Sequence, residues 1–149
     1  MPGALPPVIG WAAARGSLDM GAAALFLIVF LWQVPHFLAI AWIYRADYAR
    51  AGLRMLPGVD RTGALTGRQM VAYCLALLGV SLVPALMGTA GAVYAGGALA
   101  LGLAFLASAV GFARAHTNAR ARRVLRASLW YLPALFALLL LSLVHVPWW

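Results

Sequence analysis

The sequence contains no lysine and no glutamate, and it has few charges of any kind. Its charged residues are eleven arginines and three aspartates, 9% of the chain, whereas a soluble domain has about a quarter of its residues charged. Hydrophobic residues make up 65% of the sequence, and the mean hydropathy is +0.93. This composition excludes an ordinary water-soluble domain and predicts a protein that places much of its surface in lipid.

Cysteine is almost absent as well. Cys74 is the single cysteine and lies inside an apolar run, so no disulfide can form within the chain. The formal net charge of +8 could indicate nucleic-acid binding, but that function requires a basic face on a soluble module. Here the arginines lie between long apolar runs, and we therefore expect no nucleic-acid partner.

Four apolar runs are long enough to cross a bilayer, which takes about 20 residues of helix. They cover residues 20–44, 70–88, 92–113 and 128–146. A further apolar run at residues 4–14 is too short to cross alone, and it is either part of a longer helix or a short interfacial piece. The prediction is an all-α, polytopic membrane bundle of about four transmembrane helices plus an N-terminal partial helix, forming a single transmembrane domain over residues 1–149.

The arginines are distributed unequally along this pattern. Ten lie in the links between the first and second and between the third and fourth runs, and Arg15 lies in the head of the chain. The link at residues 88–91 carries no charge. By the positive-inside rule, both arginine-rich links are predicted to face the cytoplasm and the C-terminus to lie outside.

The first apolar run has polar residues in its interior. Gln33 and His36 are three residues apart, which places them on one side of a helix, and Pro35 between them is expected to kink that helix. A polar side chain in lipid normally faces a bundle interior or a cavity. One interpretation is a hydrogen bond between helices at the kink. The other is a wall of a ligand cavity, with His36 as a metal or porphyrin contact.

The cytoplasmic end of the same run is a second candidate site. If the helix continues, Asp47, Arg50 and Arg54 lie along one face, at spacings of three and four. A carboxylate could then hold Mg²⁺ on a diphosphate while guanidiniums bind the phosphate oxygens. The alternative is topological charge with an ion pair at a helix end. Asp60 and Arg68 extend this link, and Asp60 is either a second metal-side carboxylate or a turn residue before the next helix.

Three segments together resemble a known family. They are GALPPVIGWAAARGSLD from Gly3, FLWQVPHFLAIAWIYRADYARAGLRMLP from Phe30, and the pair Arg68 and Gln69. They are similar to the heme o synthases, or protoheme IX farnesyltransferases, of the UbiA family of intramembrane prenyltransferases. The resemblance covers essentially the whole chain. It implies a fold of nine transmembrane helices around a cavity, with two aspartate-containing motifs that bind a prenyl diphosphate through Mg²⁺ at the cytoplasmic rim.

The resemblance also implies that this chain corresponds to the second half of that fold. The block at Asp47 resembles the second motif, and the first motif has no counterpart here. Ala46 stands where the family commonly has an acidic residue, and Gly58 interrupts a run that is usually Pro-Val-Val. We therefore expect the 149-residue chain by itself to be inactive as a prenyltransferase.

The implied reaction transfers farnesyl from farnesyl diphosphate to a vinyl group of heme b, giving heme o in heme o and heme a biosynthesis. The resemblance implies that Asp47, Arg50 and Arg54 are catalytic and that Asp47 and Asp60 hold Mg²⁺. The implied substrate-binding residues are Gln33, His36, Arg45, Tyr48 and Arg68.

The expected surroundings are the bilayer of a bacterial inner membrane, with the missing N-terminal half and heme a synthase as candidate partners. Two other functions stay open. One is a UbiA-type prenyltransferase with a quinone or chlorophyll acceptor, and the other is a non-catalytic scaffold or transporter half.

Overall fold

The structure, a computed structural model, describes residues 2–60 and 62–144, and in these two ranges it is helical without any strand. After a short 3₁₀ turn at Pro2–Ala4 come the α-helices, which are α1 (Leu5–Arg15), α2 (Met20–Ile43), α3 (Arg45–Arg50), α4 (Leu56–Val59), α5 (Ala64–Ser81), α6 (Val83–Leu86), α7 (Ala92–Ala115) and α8 (Asn118–Val144). The predicted end of the last run at residue 146 and one link arginine, Arg61, lie outside the described residues.

Four segments of the described chain are long and apolar enough to cross a membrane. They are Met20–Ile43, Ala64–Leu86, Ala92–Ala115 and Asn118–Ser142. The prediction of an all-α bundle with four spans and a short N-terminal helix is therefore confirmed. Helix α1 is the short apolar piece, and it ends at Gly16, whose φ of 68° is the left-handed conformation that terminates helices.

Two of the predicted boundaries were wrong because the helices extend into charged sequence. Helix α5 begins at Ala64 rather than residue 70, and α8 begins at Asn118 rather than residue 128. Arg68 therefore lies on α5 and not in a loop. The same is true of four arginines of the link before the fourth run, which lie on α8: Arg120, Arg122, Arg123 and Arg126. Arginine is a good helix former, and its long side chain can reach the interface, so hydropathy alone places such boundaries too late.

Helix α2 is unbroken from its start to the rim. The Asp19 carboxylate accepts hydrogen bonds from the backbone N–H groups of Gly21 and Ala22, at 2.9 and 3.2 Å, which caps its first turn. The helix continues through the buried Pro35 and ends at Ile43. A new short helix, α3, then runs only to Arg50, and the chain turns at Gly52, whose φ is 73°.

The four long helices share one core. Helices α2 and α7 each pack against both α5 and α8. Large side chains fill the centre, including the fully buried Tyr94, Phe105 and Tyr131. Leu78 of α5 lies so close to Gly102 of α7 that a methyl group on Gly102 would overlap it. This close approach through a small residue is how helices gain packing contacts in lipid.

Candidate functional site

The rim at the end of α2 is built by a helix that stops and restarts. Asp47 and Arg50 lie one turn apart on α3 and form an ion pair, and both side chains are mostly exposed. An exposed pair of this kind contributes at most about 1 kcal/mol. The ion pair can therefore separate at little cost, which would free the carboxylate to bind a metal ion and the guanidinium to bind a phosphate.

Arg54 does not extend that face. Helix α3 ends at Arg50 and the chain turns at Gly52, so the condition under which Arg54 would share a helix face with Asp47 and Arg50 is not met. Arg54 instead borders a shallow groove of about 290 Å³, together with Ala49, Gly52, Leu53, Gly58 and Val59. Tyr48 is half-buried on α3, and its carbonyl accepts a hydrogen bond from the Leu53 backbone at 3.0 Å.

Arg45 connects this rim to a distant helix. Its Nη1 donates to the Trp42 carbonyl at 2.7 Å and to the Asn118 side-chain oxygen at 2.8 Å, and its guanidinium lies 4.6 Å from the centre of the Trp42 ring. A guanidinium over an indole face is an attractive geometry. Arg45 thus connects the C-terminal end of α2 with the N-terminal end of α8.

Asp60 is occupied by a structural task. Its carboxylate accepts hydrogen bonds from the backbone and hydroxyl of Thr66, at 2.7 and 2.8 Å, and from Gly63 N and the Thr62 hydroxyl, both at 3.1 Å. Burial raises the pKa of Asp60, whereas these hydrogen bonds lower it. The hydrogen bonds have the larger combined effect, so the pKa of Asp60 lies below its ordinary value. This geometry matches the turn-residue alternative, and the metal role of Asp60 stays a prediction.

The rim contains few groups that could bind a metal. Within the two described ranges, no three His, Cys, Asp or Glu side chains are grouped to hold an ion between them. The carboxylates of Asp19 and Asp60 accept hydrogen bonds from backbone N–H groups at the starts of helices. The carboxylate of Asp47 pairs only with the Arg50 side chain among the described residues. Mg²⁺ is commonly bound by one or two carboxylates together with substrate phosphates and water, and a single carboxylate fits that mode.

The interior of α2 faces α8 through a polar contact, which we call the interior seam and define as Trp32, His36 and Ser128. The Trp32 indole N–H donates to the Ser128 carbonyl at 2.8 Å, and His36 Nδ1 lies 2.8 Å from the Ser128 hydroxyl. The Trp32 and His36 rings are stacked with their centroids 4.8 Å apart. The interhelical hydrogen bond that one interpretation predicted is present.

Gln33 and His36 have different neighbours despite their spacing. Gln33 is half-buried, and its side-chain amide lies beside Gly3, where an added methyl group would overlap it. His36 contacts α8 instead. The two side chains therefore occupy separate places along α2.

Sequence reasoning missed two features. Ser128 was identified only as the start of an apolar run, and nothing in the linear sequence connects it with His36. The other feature is a groove of about 450 Å³ on the first turns of α8, here called the arginine groove, which is lined by Asn118, Ala119, Arg122, Arg123 and Arg126. The one ion pair among the described residues is Asp47 with Arg50, so these arginines have no acidic partner there. The groove carries positive charge beside the rim to which Arg45 joins it.

The described residues form a bundle of apolar helices with one aspartate and several arginines at the end of α2. The model of the UbiA prenyltransferase family matches residues 1–132, and the chain belongs to that family. The chain is a multi-pass membrane protein.

Several relatives carry one name. The chain is 56% identical over 142 residues to a protein of Solibacter usitatus named protoheme IX farnesyltransferase, an alignment that covers 95% of this chain and 49% of the relative. It is 49% identical to the protoheme IX farnesyltransferase of Koribacter versatilis, over 95% of this chain and 48% of that protein. It is 50% identical to the protoheme IX farnesyltransferase of Thiobacillus denitrificans, over 94% of this chain and 47% of that protein. The chain thus spans about half the length of the curated relatives it matches. No solved structure matches it.

Proposed function

We propose that this chain contributes to an intramembrane prenyltransferase that transfers a farnesyl group from farnesyl diphosphate to a vinyl group of heme b, giving heme o. The observation that carries the proposal is the 56% identity with a protoheme IX farnesyltransferase across 95% of the chain. The rim supports it independently, because a carboxylate and guanidiniums stand at the end of an apolar helix.

The first chemical step breaks the bond between the farnesyl carbon and the diphosphate oxygen. The electron pair leaves with pyrophosphate, and an allylic cation remains. Arg50 and Arg54 are proposed to neutralise the leaving pyrophosphate, because preplaced positive groups lower the barrier where negative charge develops. Arg45, Tyr48 and Arg68 are proposed as further contacts to the diphosphate. Arg45 has already committed one nitrogen to Trp42 and Asn118, which would hold the rest of its guanidinium in place.

Asp47 is the residue of this chain best suited to hold Mg²⁺ at the rim, with Asp60 as a weaker second candidate. Bound there, Mg²⁺ would supply electrostatic stabilisation of the leaving group. Asp60 would have to give up helix-capping hydrogen bonds to contribute a ligand. Asp47 would give up only an exposed ion pair.

The second step forms a carbon–carbon bond. The vinyl carbon of heme b attacks the allylic cation, and the cation produced on the porphyrin side takes up water and loses a proton to give the hydroxyl group. Water must reach only the second cation, so the first must form among apolar side chains. Gln33 and His36, in the interior of α2, are proposed to contact the heme.

The surroundings follow from the same proposal. We infer a bacterial inner membrane as the location, with the arginine-rich links in the cytoplasm and the C-terminus outside. Two protein partners are proposed. One is a polypeptide that supplies the family's first aspartate motif, and the other is heme a synthase, which would consume heme o.

The test uses this chain in lipid nanodiscs, alone and co-purified with the part of the Solibacter usitatus protein that the chain does not match. Heme o formed from heme b, farnesyl diphosphate and Mg²⁺ is measured by mass spectrometry. We expect no product from the chain alone and product from the pair. Asp47→Asn should lower the rate about 100-fold or more.

Asp19→Asn is the matched control, because Asn caps a helix as well as Asp does. It should insert, co-purify and react like the unchanged chain. Heme o from the chain alone would refute the expected inactivity. Prenylation of a quinone instead of heme would favour the other acceptor class, and an unchanged rate in Asp47→Asn would remove the catalytic role of that residue.

A further inference from the structure

The hydroxyl of Ser128 lies between two polar atoms. It is 2.8 Å from His36 Nδ1 and 2.7 Å from the carbonyl oxygen of Leu125, one turn earlier on α8. Ser128 is fully buried, so no solvent competes for these contacts. A serine hydroxyl carries one proton and can therefore donate one hydrogen bond.

This count indicates which ring nitrogen of His36 carries the proton. The Leu125 carbonyl can only accept, so the Ser128 proton must point to it if the contact is a hydrogen bond. His36 Nδ1 must then carry a proton and donate it to the Ser128 oxygen. If the Ser128 hydroxyl instead donated to His36 Nδ1, the Ser128 and Leu125 oxygens would lie 2.7 Å apart with no hydrogen between them. Losing a hydrogen bond at a buried position costs free energy.

The other nitrogen is consequently left with a lone pair. A neutral histidine protonated on Nδ1 has an unprotonated Nε2. His36 is half-buried, and its Nε2 has no hydrogen-bond partner and is not among the enclosed polar atoms of the described chain. Trp32 stacks on the ring and is itself bound to the Ser128 carbonyl, so one face of the imidazole is pinned.

We propose that Ser128 is a positioning residue, which holds His36 in the tautomer and orientation in which Nε2 would bind the iron of the heme substrate. The proposal rests on the proposed function for the identity of that substrate. A histidine that binds a metal generally donates a hydrogen bond from its other ring N–H group to an acceptor, which fixes the tautomer and the ring plane. Here the Ser128 hydroxyl is that acceptor, and the Leu125 carbonyl orients it.

The contact could instead only join α2 to α8, and the two roles predict different measurements. A structural role concerns stability alone. A positioning role also predicts the protonation state of Nε2 and a heme spectrum that depends on both His36 and Ser128. Ser108 provides the matched control, because its hydroxyl donates to the carbonyl of Phe105, one turn earlier, at 2.6 Å and has no histidine beside it.

The first measurement needs no variant. Histidine-¹⁵N NMR of the full chain in lipid reports which ring nitrogen carries the proton, and His36→Ala identifies the signal by its disappearance. We expect a protonated Nδ1 and an unprotonated Nε2. A protonated Nε2 on His36 would overturn the proposal.

The second measurement is a titration of the chain in nanodiscs with heme b, followed by absorption and electron paramagnetic resonance. We expect saturable binding with a histidine-ligand spectrum that His36→Ala abolishes. Ser128→Ala should weaken that binding 10- to 100-fold, as loss of a ligand's supporting hydrogen bond does elsewhere. Ser128→Thr, which keeps the hydroxyl, should restore it, and Ser108→Ala should leave it unchanged.

The outcomes separate the two proposals. No saturable heme binding, by the unchanged chain alone or by the co-purified pair, would overturn the heme acceptor and the role of Ser128 together. Saturable binding that His36→Ala or Ser128→Ala leaves unaltered would overturn the positioning role while the proposed function stands.

Discussion

Arg45 and Asn118, which are 73 residues apart in the sequence, are joined by a hydrogen bond of 2.8 Å between the guanidinium Nη1 and the side-chain amide oxygen. This bond fastens the rim at the end of α2 to the start of α8. It also connects the segment with Asp47 to the arginine groove. The Arg45 guanidinium therefore adds a direct contact between the two charged regions to the packing of α2 on α8.

Replacing Arg45 should loosen this connection. We expect Arg45→Gln to lower the free energy of unfolding by about 1 kcal/mol, because a hydrogen bond from a charged donor is lost in a partly exposed place. In a double-mutant cycle with Asn118→Ala, the two losses should be less than additive. The measurement is unfolding in detergent, with Arg54→Gln as the control, since Arg54 is exposed and has no hydrogen bond among the described residues. Fully additive losses would contradict the contact.

Gly67 should not tolerate a larger residue. A methyl group at Gly67 would lie 2.8 Å from the Ala113 Cα, which is backbone and cannot move aside. We expect Gly67→Ala to destabilise the packing of α5 on α7 by about 1–3 kcal/mol. Gly79→Ala is the matched control on the same helix, because nothing lies within 4 Å of its added methyl group. It should be neutral or stabilising by up to about 1 kcal/mol. Equal unfolding temperatures for the two variants would contradict this packing.

Asp60 should make stability depend on pH in a defined direction. Its pKa in the folded chain lies below the ordinary value of 3.8, so the folded state favours the ionised carboxylate. The stabilisation is then fully present above that ordinary value and is lost as the pH falls through the lower folded pKa. Asp60→Asn should be less stable near neutral pH by about 1 kcal/mol and should lack this part of the acid dependence.

The measurement for Asp60 is unfolding in detergent as a function of pH. The comparison is between the unchanged chain and Asp60→Asn, whose stabilities should converge in acid. A difference that grows as the pH falls would contradict the assignment of the cap.

The proposed orientation can be tested with single cysteines. Cys74 is 2% exposed, and Cys74→Ala gives a background without a thiol. In that background, Ala49→Cys at the rim should react with a membrane-impermeant maleimide only after cells are opened. Met87→Cys, on the exposed Met87 at the other end of the bundle, should react in intact cells. The reverse pattern would place the rim outside and remove the diphosphate site from the cytoplasm.

Several parts of the fold were predictable because they depend on neighbouring residues. The number of spans follows from the length of apolar runs, and residues 2–60 and 62–144 contain four. The pairing of Asp47 with Arg50 follows from a spacing of three on a helix, and it is present. The alignment of Arg54 with Asp47 depended on a continuing helix, and the left-handed turn at Gly52 ends that helix before Arg54. The role of Asp60 was left open because a carboxylate before a helix can either cap it or bind a metal.

The sequence by itself determined that this protein is a bundle of membrane helices, because transfer into lipid depends on the composition of consecutive residues. Its UbiA type was indicated by the resemblance of its motifs, such as the block at Asp47, and not by composition. Only the tertiary structure decided which face of α2 meets α8, and hence that His36 meets Ser128, 92 residues away. That contact depends on the rotation and axial register of two helices. Both are set by how side chains such as Trp32 and Tyr131 pack together, and no local pattern records them.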